Sequence, residues 1–161
     1  MSIAIVTTGG TIDKEYFDAL SDYQVADTII PKWLQQSKIK QPVAIVPLFR
    51  KDSLDITDND RRALQEAIER LPQQQILVTH GTDTMAESAR FLSDITGKTI
   101  VFTGAMKPAR FADSDAMFNV AFAMGALQAL PDGVYVAMSG TIFDPLKVQK
   151  NRAEEVFELS R

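Results

Sequence analysis

Ile3-Ala4-Ile5-Val6-Thr7-Thr8-Gly9-Gly10-Thr11 and Ile76-Leu77-Val78-Thr79-His80-Gly81-Thr82-Asp83-Thr84 follow one plan: an unbroken apolar run, then a loop of threonines and glycines. Apolar runs without alternation read as strands covered on both faces. In an open α/β sheet the carboxyl ends of parallel strands face the ligand crevice. Both loops are therefore expected to open into one pocket. There they bring hydroxyls, a carboxylate and glycine-exposed amides together, as attack on a carbonyl requires.

Working outward, further apolar runs at 43–46, 99–102 and 134–137 read as strands. Between them lie helical patterns. Over 58–71 Ala63, Leu64, Ala67, Ile68 and Leu71 form one stripe, and Thr57 with Asp60 resembles a capping box. Over 85–92 Met85, Ala86, Ala89 and Leu92 share a face. Residues 115–130 are apolar on most sides, as in a helix buried against a sheet. Strands alternating with helices predict α/β: an open, largely parallel sheet with helices on both faces, Rossmann- or flavodoxin-like. Residues 13–27 are polar and without period, and read as a long loop of the kind that covers active sites. At the other end, 141–143 and 146–151 read as strands of a C-terminal hairpin with Leu146, Val148 and Lys150 on one face. Residues 153–159 read as a short terminal helix.

The 161 residues predict one domain, 1–161. A net charge of −4 and a pI near 5.0 argue against nucleic-acid binding. The absence of cysteine removes thiolate metal sites and cysteine nucleophiles. No apolar run approaches spanning length and no leader pattern opens the chain, so a cytoplasmic location without membrane contact is expected.

The first loop lacks both G-x-G-x-x-G and a Gly-Lys-Ser/Thr, which weighs against a phosphate cradle. Gly9-Gly10 then serves to turn the backbone and present the Thr11 hydroxyl; the bland alternative is a tight turn with Thr11 as a cap. In the second loop Thr82 and Asp83 are both good caps, yet one cap suffices and Asp83 leaves a carboxylate to spare. A threonine needs a base. His80, the one histidine, reads as structural more readily than catalytic. Lys150 is the other candidate, against the alternative of a solvated lysine.

These residues resemble the bacterial-type L-asparaginase family. Thr8-Gly9-Gly10-Thr11-Ile12 and His80-Gly81-Thr82-Asp83-Thr84-Met85 are similar to its two signature motifs. Four further segments agree in order: Ser21-Asp22-Tyr23-Gln24-Val25 on the flexible loop, Asp52-Ser53-Leu54-Asp55-Ile56-Thr57, Phe102-Thr103-Gly104-Ala105-Met106-Lys107-Pro108, and 138–150 ending at the lysine. The resemblance covers essentially the whole chain. It implies that Thr11 is the nucleophile, that Tyr23 closes over it, and that Thr82, Asp83 and Lys150 form a triad in which lysine polarises threonine. Ser53 and Asp83 would hold the substrate's α-carboxylate and α-ammonium, with Gly10, Asp55, Gly81 and Ala105 also lining the binding site. The Thr82 amide, with a water, would face the oxyanion.

The implied reaction is hydrolysis of the asparagine side-chain amide through an acyl-enzyme, with no cofactor or metal. The family's usual C-terminal domain is expected to be absent, and with it the glutamate that a neighbouring subunit contributes on the amine side. Leu54 stands where many members carry a polar residue. Weaker binding with intact acyl transfer is the expectation, with Asp55, Asp13 or Glu15 as replacements on the amine side. A homo-oligomer, dimer or tetramer, is expected. The rivals are a glutaminase or amidotransferase-associated amidohydrolase, and a non-catalytic amino-acid-binding domain.

Overall fold

The computed structural model describes residues 2–17 and 22–161. Each expected apolar run is a strand, somewhat longer than its apolar core. β1 (Ile3–Gly9), β4 (Val43–Lys51), β5 (Gln75–Thr79), β6 (Thr99–Thr103) and β7 (Gly133–Met138) pair in parallel, and β8 (Thr141–Phe143) adds an antiparallel edge. The spatial order is β4-β1-β5-β6-β7-β8. The chain leaves β1 toward one edge and returns on its other side as β5, so the strand order reverses between β1 and β5.

Successive strand residues feed opposite cores, which is why the runs are unbroken. Ala4, Val6, Ile76, Val78, Ile100 and Phe102 pack with Leu64 and Ile68 of α2 (Asp58–Arg70) and with Met85 and Ala89 of α3 (Met85–Phe91). Ile3, Ile5, Leu77 and Val101 pack with Ile30 and Trp33 of α1 (Ile30–Gln36) and with Val120, Ala123 and Leu127 of α4 (Ala116–Ala129). The expected α/β architecture, with helices on both faces, is the observed one.

The capping box of α2 is present: Thr57 Oγ1 accepts from Asp60 N–H, and the Asp60 carboxylate accepts from Thr57 N–H. Its stripe differs from the expected one. Ala63 is exposed, while Arg61 joins Leu64 and Ile68 in burial. Helix α4 packs on the sheet through one side only; Met117 and Phe118 on its other side are exposed.

Four expectations are corrected. Where 13–27 reads as a long loop, Thr11–Asp13 forms a 3-10 turn, and β2 (Lys14–Phe17) pairs antiparallel with β3 (Asp22–Val25). The hairpin has Tyr16 opposite Tyr23, both half-exposed, so no buried face imposes alternation. Ser21 of the tyrosine motif lies outside the described residues. In the tail, β9 (Val148–Asn151) pairs with β10 (Val156–Leu159), not with 141–143, which belongs to the main sheet. A C-terminal hairpin exists, but 153–159 supplies its second strand instead of a helix, because Phe157 packs into the core with Val148 and Phe143. Leu146 sits in the 3-10 turn Pro145–Lys147, exposed, and does not share a face with Val148 and Lys150.

Candidate active site

The chain turns after β1 by two glycines in conformations that disfavour side chains, with φ of 103° at Gly9 and 84° at Gly10. Each is also pressed against a neighbour. A Cβ on Gly9 would lie 2.6 Å from the backbone of Lys51, and one on Gly10 would lie 2.4 Å from the Gly81 nitrogen. Gly81 in turn leaves no room for a Cβ, because the Ser53 Cβ would be 2.5 Å away. Three segments therefore meet at close range where the strand order reverses: the turn carrying Thr11, the loop carrying Thr82 and Asp83, and the turn carrying Ser53.

Each segment is braced. Thr8 Oγ1 donates to Thr79 O at 2.9 Å, tying the ends of β1 and β5. Asp52 caps the turn Ser53–Asp55 by accepting from Leu54 N–H. Lys14 Nζ donates to Asp52 at 2.7 Å, and this bond does most to hold the Asp52 carboxyl below the usual carboxylate range. Thr84 Oγ1 donates to Ser53 O at 2.7 Å.

Lys150 arrives from β9. Its Nζ donates to Thr82 Oγ1 at 2.7 Å and to Asp83 Oδ1 at 2.9 Å. With its oxygen accepting from lysine, the Thr82 hydroxyl keeps its own proton free to donate. Arg152 also reaches Asp83, with Nε 3.3 Å from Oδ1. Sequence reasoning missed Arg152. No local pattern marks it: it lies in the turn just past β9, and Asp83 reaches it only through the fold.

His80 is buried and structural. The Gly81 carbonyl, 2.7 Å from Nδ1, can only accept, so Nδ1 carries the proton. Nε2 then accepts from the Ser88 hydroxyl at 2.8 Å, whose oxygen accepts from Arg61 Nε at 3.0 Å. Burial, assisted by the Arg61 charge, pushes the imidazole down to about 4, against the Gly81 hydrogen bond. The neutral ring fixes the Gly81 carbonyl and so the loop beside it.

The remaining candidates spread out. Gly10, Gly81 and Ser53 adjoin, as above. Ala105 is buried in the second core with Ile12, beneath the Thr11 turn. Asp55 is exposed and makes no ion pair among the described residues. Tyr23 rests on Tyr16 at 5.3 Å and Phe111 at 6.1 Å between ring centres, and no hydrogen bond joins it to Thr11.

Asp13 is nearly buried, with Oδ1 lacking a hydrogen-bond partner among the described residues. Burial pushes its carboxyl up to about 6, against the Thr28 hydroxyl and the Arg110 and Arg50 charges. It faces a cavity of about 210 Å³ behind the turn, shared with Thr7, Gly9, Thr28, Phe49 and Arg50 and with none of Thr11, Thr82, Asp83 or Lys150. Of the acids suggested for the amine side, Asp13 thus lies away from the group, and Glu15 pairs with Arg110.

Residues 2–159 match the family described as Asparaginase, N-terminal. L-asparaginase 2 of Escherichia coli (strain K12) is 32% identical over 96% of this chain and 48% of its own. A glutamyl-tRNA(Gln) amidotransferase component of Methanosarcina acetivorans is 35% identical over 88% of this chain and 35% of its own. The thermostable L-asparaginase from Thermococcus kodakarensis superposes with a TM-score of 0.85 at 25% identity, over 99% of this chain and 51% of that one. The chain spans about half the length of these two asparaginases.

Proposed function

The chain belongs to the asparaginase family, through that family's N-terminal domain, and on that premise we propose that it is an L-asparaginase. The observation that carries the reading is the reach of Lys150 to Thr82 and Asp83 beside the turn that presents Thr11. Thr11 Oγ attacks the side-chain amide carbon of asparagine. The C–N bond breaks, and ammonia leaves with the proton that the hydroxyl gave up. Water then cleaves the ester to aspartate and restores Thr11.

Lys150 supplies positive charge next to the developing oxyanion and polarises Thr82, whose hydroxyl proton is free to donate. Ser53 and Asp83 take the α-carboxylate and α-ammonium. Tyr23 reaches the site by movement of the β2–β3 hairpin. In this reading residues 1–161 act as one catalytic domain and assemble as a homo-oligomer.

A second reading is favoured by the 35% identity to the amidotransferase component: amide hydrolysis that supplies ammonia within a larger complex. Ammonia release from L-asparagine and L-glutamine, by wild type and Thr11→Ala side by side, tests both. The first reading expects asparagine turnover that disappears in the variant. Glutamine preference selects the second. Absence of release from either substrate by folded protein removes both and leaves an amino-acid-binding domain.

A further inference from the structure

Asp13 is a buried acid with no part in the reaction above. It is 2% exposed, and its Oδ1 has no hydrogen-bond donor among the described residues. Its backbone is fixed: Asp13 N–H donates to Gly10 O at 3.2 Å, and Asp13 O accepts from Ala26 N–H at 2.8 Å. The side chain lines the cavity of about 210 Å³ behind the Thr11 turn, where about 15 Å³ suffices for one water. A carboxylate only accepts, so the free oxygen calls for a donor. A water there would donate but leave the buried charge uncompensated. The neighbouring charges cancel in pairs. Arg50 pairs with Asp27, both exposed at the cavity's rim, and Arg110 lies 3.6 Å from Glu15. The negative charge of Asp13 is left over. Opposite it, Ile45, Pro47 and Phe49 alternate along the edge strand β4 and give the cavity an apolar wall.

We propose that this cavity is a second ligand site, separate from the one around Thr11, and that it takes a small primary alkylammonium ion. The ammonium donates to Asp13 Oδ1 and supplies the missing positive charge. The short alkyl chain lies against Ile45, Pro47 and Phe49. The proposal does not depend on the hydrolase reading, since none of Thr11, Thr82, Asp83 or Lys150 lines the cavity.

Titration of wild type with n-butylammonium, followed through the carbon-13 resonance of the Asp13 carboxyl, tests the site directly. The resonance should shift to saturation, and the bound acid should titrate below its ligand-free value of about 6. Ammonium lacks the chain, tetramethylammonium the N–H groups and n-butanol the charge. Each should bind at least about tenfold more weakly. The charged groups facing Asp13 are Arg50, Arg110 and Asp27. As Asp13 takes up its proton, affinity for n-butylammonium should fall about tenfold from about pH 8 to about pH 5. Asp13→Asn keeps the size and removes the charge, and should lose at least about tenfold in calorimetric titration. The wild-type series decides the matter even where that variant fails to fold. An Asp13 resonance indifferent to n-butylammonium, equal binding of any of the three control ligands, affinity level with pH, or undiminished binding by Asp13→Asn overturns the proposal.

Discussion

Gly10 and Gly81 touch backbone to backbone, so closely that a Cβ on the first would lie 2.4 Å from the nitrogen of the second. The contact sets how near the turn after β1 can come to the loop after β5. It does so at the reversal of strand order, where open α/β sheets bind ligands.

Gly10→Ala should therefore damage both fold and activity. The new methyl group meets backbone, which cannot rotate aside, at a φ of 84°. A cost of about 2–4 kcal/mol is expected from strain and overpacking together. Urea denaturation with ammonia release reads both effects. Wild-type stability and turnover in this variant would show that the loops can part without consequence.

Lys150→Met should cost at least about a hundredfold in turnover, the usual scale for a group that assists proton transfer. It removes both bonds, to Thr82 at 2.7 Å and to Asp83 at 2.9 Å. Lys150→Arg keeps the charge with a different fork and should recover only part of the loss. If the Met variant turned over as wild type does, the lysine would be no more than a structural tie.

Tyr23→Phe should leave the melting temperature unchanged, because the ring contacts with Tyr16 and Phe111 survive and the hydroxyl has no partner among the described residues. Turnover should nevertheless fall by at least about tenfold if the hydroxyl acts on the closed hairpin. Equal loss of stability and activity would count against that role.

Acid should act on two buried groups with opposite sign. His80 titrates near 4 in the fold against 6.5 ordinarily. Its contribution is complete above 6.5 and is lost as pH falls toward 4, because the unfolded chain takes up the proton first. Asp13 titrates near 6 in the fold against 3.8 ordinarily. Its contribution is complete below 3.8 and is lost as pH rises through 6, since the folded chain keeps a proton that the unfolded chain releases. Each is worth about 3 kcal/mol, so wild-type stability should be nearly level between pH 4 and 6. Asp13→Asn should uncover the histidine slope, a fall of about 3 kcal/mol from pH 6.5 to 4 in urea titrations. A level profile in that variant would mean that His80 is not held neutral by burial.

The five parallel strands were legible because each is covered on both faces, so residues such as Ile76 to Val78 carry an unbroken apolar signal. Helix α2 was legible from its stripe and its Thr57–Asp60 box, though not the burial of Arg61, which depends on Ser88 reaching it from α3. The β2–β3 hairpin left no pattern because neither of its faces is buried. β10 carries no local strand signature, because its register comes from β9 and from the packing of Phe157 and not from periodicity. Among the candidate residues, Thr11, Thr82, Asp83 and Lys150 stand out in the sequence itself, and Ser53 through the family resemblance. Arg152 and the burial of Asp13 do not, since both follow from neighbours distant in sequence.

Lys150 and Thr82 are 68 residues apart, and Lys150 rides on a two-stranded ribbon outside the main sheet. Closing so long a stretch of chain slows the formation of the contact relative to the local helices and turns. On dilution from denaturant, helical signal should return before catalytic competence does. The lag between them would time the docking of that ribbon.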